Sequence, residues 1–321
     1  MSTTVYFATN RALTGPLEQW QSYTTSIVAP SHPNEIIYGT AIVSDCNLTT
    51  DEFGSITEIR NIQKGRFRQD AIDDLSNPGR NLLVFIHGFC NSFENGVARA
   101  AFNREWFAQS GLAEADTTLV AFSWPSLGRV ITLPFLVANY RQDQTMAGQS
   151  GTHLMSFFAN LEPIITSVRA KGRRVFLLAH SMGNWALQAA VESWFAHGNG
   201  NASLFDEAFL VAADEIYTTF DFGPFGRLSA LDHLAKRISI YFSEADVIMK
   251  LGSGVNDGQK RLGQDGPHNR FDTNRFPPWQ YRMVDCAGFR DYALDLQSSH
   301  QYYRRSPGVR DDIARTMSNL A

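Results

Sequence analysis

Five short apolar runs rich in β-branched and aromatic residues recur along the chain. They are Leu82-Leu83-Val84-Phe85-Ile86, Thr118-Leu119-Val120-Ala121-Phe122, Val175-Phe176-Leu177-Leu178, Phe209-Leu210-Val211 and Ile238-Ser239-Ile240-Tyr241-Phe242. Near-continuous runs of this length fit strands buried on both faces, as in a parallel sheet. The stretches between them carry helical periodicity. Ala98, Phe102 and Trp106 step by four, Leu154, Phe158, Leu161, Ile165 and Val168 by four and three, and Leu187, Ala190, Val191 and Trp194 fall on one face. Strand and helix in alternation predict a doubly wound, mostly parallel α/β sheet flanked by helices.

The ends of the chain differ from this rhythm. Val5-Tyr6-Phe7-Ala8 and Ile36 to Val43 read as strands with no clear helix between them, so they are expected to pair along one edge of the sheet. Residues 125–149 mix apolar residues with Tyr140 and Arg141. Residues 252–278 are rich in glycine and read as a long loop, and the last strand is expected over 279–285. Long loops inserted in a compact fold are often lids or binding loops. Ser306-Pro307 then forms an N-cap and N1 pair ahead of a final helix with Val309, Ile313 and Met317 on one face.

Composition narrows the class. The 321 residues hold 28 Lys plus Arg and 32 Asp plus Glu, a formal charge of −4, with 44% apolar and 19% charged residues. That balance describes a folded chain and supplies no basic footprint for nucleic acid. No run reaches the roughly 18 apolar residues that cross a bilayer, and Met1 to Val5 shows neither a basic nor an apolar leader segment. Three well-separated cysteines (Cys46, Cys90 and Cys286) suit neither a disulfide framework nor a cysteine metal site. A cytoplasmic protein without metal or cofactor is expected.

The chemistry concentrates where the third run ends, in Leu178-Ala179-His180-Ser181-Met182-Gly183-Asn184. A buried strand running into a helix through small-x-Ser-x-Gly sets a serine on a tight, strained turn and projects its hydroxyl above the sheet edge. The helix N-terminus offers N–H groups to a developing oxyanion. Other Ser-x-Gly sites fail on size: Ser126 has Trp124 two residues before it, and Ser306 has Arg304. The first core strand ends in His87-Gly88-Phe89, a loop suited to supply the second donor. The amides of Phe89 and Met182 are the expected oxyanion hole. His87 is expected to brace that loop, His180 to be structural, and Cys90 to be a small packing residue.

A nucleophilic serine needs a general base, and the base needs an orienting carboxylate. On this topology the order is Ser, acid, His. Asp246 ends the fifth run in Tyr-Phe-Ser-Glu-Ala-Asp and is the favoured acid; Asp214, after the fourth run, is the alternative. Of the two histidines beyond Asp246, His268 precedes the last strand and His300 follows it. The base usually lies after the final strand, which favours His300.

These residues together resemble the α/β-hydrolase superfamily, and within it a bacterial branch of esterase/lipase-like proteins known as a domain of unknown function. The resemblance is carried by Phe7-Ala8-Thr9-Asn10-Arg11, Tyr38 to Ser44, Val84 to Phe89 with Asn91-Ser92-Phe93, and Phe122 to Ser126. It continues through Ala179 to Asn184, Arg261-Leu262-Gly263-Gln264 and Ser299-His300-Gln301-Tyr302. It implies one α/β-hydrolase domain over residues 1–321, with edge strands in 1–75 and lid or pocket loops at 125–149 and 248–279. It also implies a serine hydrolase with Ser181, Asp246 and His300 as its triad, acting on a small-molecule ester. Ala179 stands where the branch more often has Gly, and Ser-Ser precedes His300 where it more often has Gly. Thioesterase, peptidase and acyltransferase activities share such a triad, and a catalytically silent binding protein is the reading from another class.

Overall fold

The structure, a computed structural model, describes residues 2–28, 35–76, 79–128, 136–224, 226–255, 258–289, 291–295 and 298–319. Among the described residues the principal sheet has nine strands. In chain order these are β1 (Thr3–Thr9), β4 (Ile37–Val43), β5 (Ile56–Lys64), β6 (Leu82–Ile86), β7 (Thr118–Ser123), β8 (Val175–His180), β9 (Glu207–Val211), β10 (Ile238–Phe242) and β11 (Tyr281–Asp285). Two shorter strands, β2 (Arg11–Leu13) and β3 (Tyr23–Ile27), form a separate ribbon.

The order across the sheet is β11-β10-β9-β8-β6-β7-β1-β4-β5. From β11 to β1 every pairing is parallel; β4 pairs antiparallel with β1, and β5 with β4. The expected N-terminal edge is therefore present, with a difference. β1 lies inside the sheet, parallel to β7, because its apolar residues alternate between two covered faces. Val5 and Phe7 join the apolar layer on one side, and Tyr6 and Ala8 the layer on the other. Only β4 and β5 make the edge. β5 shows no clear period-two pattern in Ile-Thr-Glu-Ile-Arg-Asn-Ile-Gln-Lys, and pairing, not patterning, makes it a strand.

Helices cover both faces. α2 (Phe93–Ala108) and α8 (Pro307–Met317) bury Phe102, Trp106, Val309 and Ile313 against Leu83, Phe85 and Leu178. α1 (Gln69–Leu75), α3 (Leu136–Gln149), α4 (Gly151–Ala170) and α5 (Gly183–Ala196) cover the other face. There Leu154, Phe158, Leu161, Leu187 and Trp194 pack on Val84, Val120 and Leu177. Each fully buried Leu, Val or Phe contributes about 1.5–3 kcal/mol. The Ser306 hydroxyl accepts from Val309 N–H at 3.0 Å, so the final helix begins as its sequence indicates.

The two insertions are more ordered than loops. Residues 129–135 of the first lie outside the described residues, and the remainder is mostly α3. In the second, α6 (Val247–Val255) follows Asp246 directly and α7 (Leu262–Asp265) forms a short turn. Close packing fixes that turn. Gly263 of α7 is pressed against the backbone of Ala212 and Ala213, where a Cβ would stand 2.3 Å from the nearest atom. No helix among the described residues is long and apolar enough to cross a membrane.

Candidate active site

Ser181 follows the last residue of β8 and immediately precedes the first turn of α5. Its φ is +53°, in the left-handed region, which costs a residue with a Cβ about 1–2 kcal/mol. Four hydrogen bonds hold that conformation. Ser181 N–H donates to Val211 O at 3.0 Å, extending the β8–β9 ladder by one residue. Its carbonyl accepts from Asn184 N–H at 3.0 Å, Asp214 N–H at 3.1 Å and Asn184 Nδ2 at 3.1 Å. Asn184 Nδ2 also donates to Ala179 O at 2.9 Å, tying both arms of the turn together.

The small residue two positions after the serine has a further reason. A Cβ on Gly183 would lie 2.6 Å from both Ile86 O and His87 O, so the end of β6 is seated on the turn. Gly88 sits against the serine itself: a Cβ there would stand 2.7 Å from Ser181 Cβ. The loop carrying Phe89 thus abuts Ser181. Among the described residues, neither the Phe89 nor the Met182 amide donates a hydrogen bond to a protein acceptor.

The two candidate acids separate clearly. His300 Nδ1 lies 2.8 Å from Asp246 Oδ2, and Asp246 Oδ1 accepts from Met249 N–H at 3.0 Å in the first turn of α6. Asp246 is fully buried, while Ser181 and His300 are 4% and 6% exposed. Ser181 stands at the carboxyl end of β8 and His300 in the segment after β11, and the two segments meet where His180 Nε2 lies 3.4 Å from His300 O. Asp214 is turned elsewhere. It accepts from Tyr140 Oη at 2.7 Å and lies 3.4 Å from Arg261 Nε, an ion-pair contact whose angle makes no hydrogen bond.

The segment carrying His300 is anchored on several sides. Tyr302 Oη donates to Tyr241 O at 2.8 Å and accepts from Ala212 N–H at 2.9 Å, pinning it to the ends of β10 and β9. Trp106 Nε1 donates to Tyr303 O at 3.1 Å, and Arg99 to Gln301 Oε1 at 3.1 Å. His180 packs beside His300, its ring centroid 4.9 Å from that of His300 and 4.7 Å from that of Tyr303. Burial holds its pKa well below the ordinary value, so it is a neutral packing partner. His268 pairs instead with Asp221, at 2.6 Å.

At the end of β6, His87 stacks on Trp124 and its Nδ1 lies 2.9 Å from Gly88 O. Burial, with the Arg11 charge adding to it, lowers its pKa to about 3, so the ring is neutral. Cys90, at φ +63°, is half-buried, and burial pushes its thiol up to about 11. A raised thiol pKa removes it as a reactive nucleophile. The two inserted segments converge here: a Cβ on Gly252 of α6 would lie 3.6 Å from Asp214 Oδ1 and 3.8 Å from Tyr140 Oη of α3. Tyr140 also packs against the Phe89 ring, with centroids 6.0 Å apart.

Sequence reasoning passed over Arg11, Asn91, Asp143 and Asn184 as individuals. All four are fully or almost fully buried polar residues. Arg11 and Asn91 follow strands β1 and β6, whereas Asp143 lies within α3 and Asn184 in the first turn of α5, so no shared local signal marks them. Among the described residues no group of three or more His, Cys, Asp or Glu side chains is placed to hold a metal. A large groove lies at the other end of the strands, by Thr4, Arg60, Arg80 and Thr118, and includes none of the triad candidates.

A family profile described as an alpha/beta hydrolase of unknown function (DUF900) matches residues 63–316. The chain belongs to this alpha/beta hydrolase family. The match takes in every strand from β6 to β11 and the segments that carry Ser181, Asp246 and His300, while β1 to β4 precede it. The hydrolase fold is thus shared; the residues before the match supply the inner strand β1 and β4 beside it, and the outermost strand β5 straddles residue 63. No curated protein matches the chain.

Proposed function

We propose that this alpha/beta hydrolase is a serine hydrolase, a carboxylesterase that cleaves small or medium acyl esters through an acyl-enzyme on Ser181. The observation that carries this is the buried 2.8 Å pair between His300 Nδ1 and Asp246 Oδ2, with the His300 segment meeting the end of β8 beside a serine held at φ +53°.

In the proposed reaction, His300 Nε2 takes the proton from Ser181 Oγ as that oxygen attacks the ester carbonyl. Asp246 keeps the imidazole in the tautomer with its proton on Nδ1 and stabilises the imidazolium that forms. The carbonyl oxygen gains negative charge and is received by the Phe89 and Met182 amides. Collapse of the tetrahedral intermediate expels the alcohol, which takes the proton from His300. Water then attacks the acyl-enzyme with His300 as base, releasing the acid and restoring Ser181. Tyr140 of α3 and the Phe89 ring it packs against supply an aromatic wall beside the acyl group.

A fluorophosphonate probe tests the assignment, with the labelled peptide mapped by mass spectrometry and turnover of a short-chain nitrophenyl ester measured alongside. Labelling at Ser181 and loss of turnover in Ser181→Ala are expected. A folded protein that neither labels nor turns over ester would overturn the serine-hydrolase assignment in favour of a silent binding protein.

A further inference from the structure

We infer that Asn91 is a positioning residue that aims the Phe89 N–H at the oxyanion, through a clamp on the Gly88 carbonyl. The inference rests on the serine-hydrolase reading above. A peptide unit is planar and trans, so the C=O of Gly88 and the N–H of Phe89 point in opposite directions. Whatever grips the Gly88 oxygen therefore sets the direction of the Phe89 donor. Two groups grip it: Asn91 Nδ2 at 2.9 Å and His87 Nδ1 at 2.9 Å. Asn91 Nδ2 also donates to Phe89 O at 2.9 Å, so the peptide units on both sides of Phe89 are held by one amide group.

The orientation of that amide is itself fixed. Asn91 Oδ1 accepts from Arg99 Nε at 3.1 Å, and a guanidinium only donates. The side-chain nitrogen must therefore face the two carbonyls. Arg99 also reaches Gln301 beside the base, so one side chain spans from the oxyanion loop to the His300 segment. The Asn91 backbone is held as firmly. Its N–H donates to Ser126 Oγ at 3.0 Å, and its carbonyl accepts from Arg11 Nη2 at 2.8 Å. Ser126 Oγ donates in turn to Asp143, whose two oxygens also accept from Cys90 N–H at 3.2 Å and Leu127 N–H at 3.0 Å. Arg11, Asn91, Ser126 and Asp143 are all buried to 2% exposure or less. A network this deep is costly unless its members are satisfied, and it holds one arrangement when they are. Here it links β2, the loop after β6, the loop after β7 and α3 behind a single amide.

The test is steady-state turnover of a nitrophenyl ester by Asn91→Ala, normalised to active sites titrated with a fluorophosphonate. Losing one oxyanion donor outright costs about 10²–10³ in kcat. A donor that is present but misdirected is expected to cost about 10- to 100-fold in kcat per titrated site, with KM within about threefold. A residue that matters only for folding would lower the titratable fraction and the melting temperature and leave kcat per titrated site unchanged. That result overturns the inference. Should Asn91→Ala fail to fold, Ser126→Ala removes the acceptor of the Asn91 N–H and is expected to lower kcat per titrated site about 3- to 10-fold; no change there also overturns it. Wild-type protein distinguishes the two levels. If it neither labels nor turns over, the hydrolase reading fails and takes this inference with it. If it is active and both variants match it, only the role of Asn91 fails.

Discussion

His300 and Asp246 meet from positions 54 apart in the chain, and the bond between them is buried from solvent. Asp214, equally buried and bonded through its own N–H to Ser181 O, gives its carboxylate to Tyr140 and Arg261 instead. The two acids therefore differ in what their removal should do. Asp246→Asn is expected to lower kcat by about 10²–10⁴, because the imidazole loses the group that selects its tautomer. Asp214→Asn is expected to leave kcat per titrated site within a few-fold and to lower stability by on the order of 3 kcal/mol, since Arg261 loses its buried counter-charge. Paired kinetics and denaturant melts check both. The opposite pattern would make Asp214 the catalytic acid.

Strain at Ser181 predicts a stability difference between two of its variants. Ser181 sits at φ +53°, a conformation that glycine adopts freely and alanine does not. Ser181→Gly is expected to be more stable than Ser181→Ala by about 1 kcal/mol, even though glycine ordinarily loses more entropy on folding. Urea unfolding of the two variants measures this. A more stable Ser181→Ala would mean that the turn stores no strain.

Tyr140 joins the helical part of the first insertion to the loop beyond β9. Its hydroxyl donates to a buried Asp214 oxygen at 2.7 Å. Tyr140→Phe removes that donor without changing the ring, and a loss of about 1–3 kcal/mol is expected. The same variant reports on the acyl wall: KM for longer acyl esters should change by less than about twofold, because the apolar face is retained. A large KM shift would show that the hydroxyl, not the ring, faces substrate.

His87 gives the protein an acid-sensitive point. Its folded pKa, about 3, lies below the ordinary 6.5 because burial disfavours the cation. Between these values the unfolded chain takes up a proton that the folded protein does not. The contribution of His87 to stability is therefore complete above pH 6.5 and is lost as pH falls toward 3. Near pH 5 the wild-type unfolding free energy should fall with decreasing pH more steeply than that of His87→Gln, by about 1.4 kcal/mol per pH unit. Equal slopes in the two proteins would mean that His87 is protonated in the folded state.

The sequence by itself carried the rhythm of buried strands and amphipathic helices, because burial on both faces of a sheet demands continuous apolar runs. It also carried the turn at Ser181, since only small neighbours fit there, and it pointed to His300, in the segment after the last strand, as the candidate base. All of these are local requirements written in adjacent residues. Other features have no local mark. Whether Asp214 or Asp246 reaches His300 depends on where two loops from different strands come to rest. β5 becomes a strand by pairing with β4, and β1 lies inside the sheet because both of its faces are covered by helices. The clamp on Gly88 draws Arg11, Asn91, Ser126 and Asp143 from four segments. Each is an ordinary polar residue in its own neighbourhood. Only the folded chain removes them from water together, and a buried donor or acceptor must then find its partner wherever the topology has placed one.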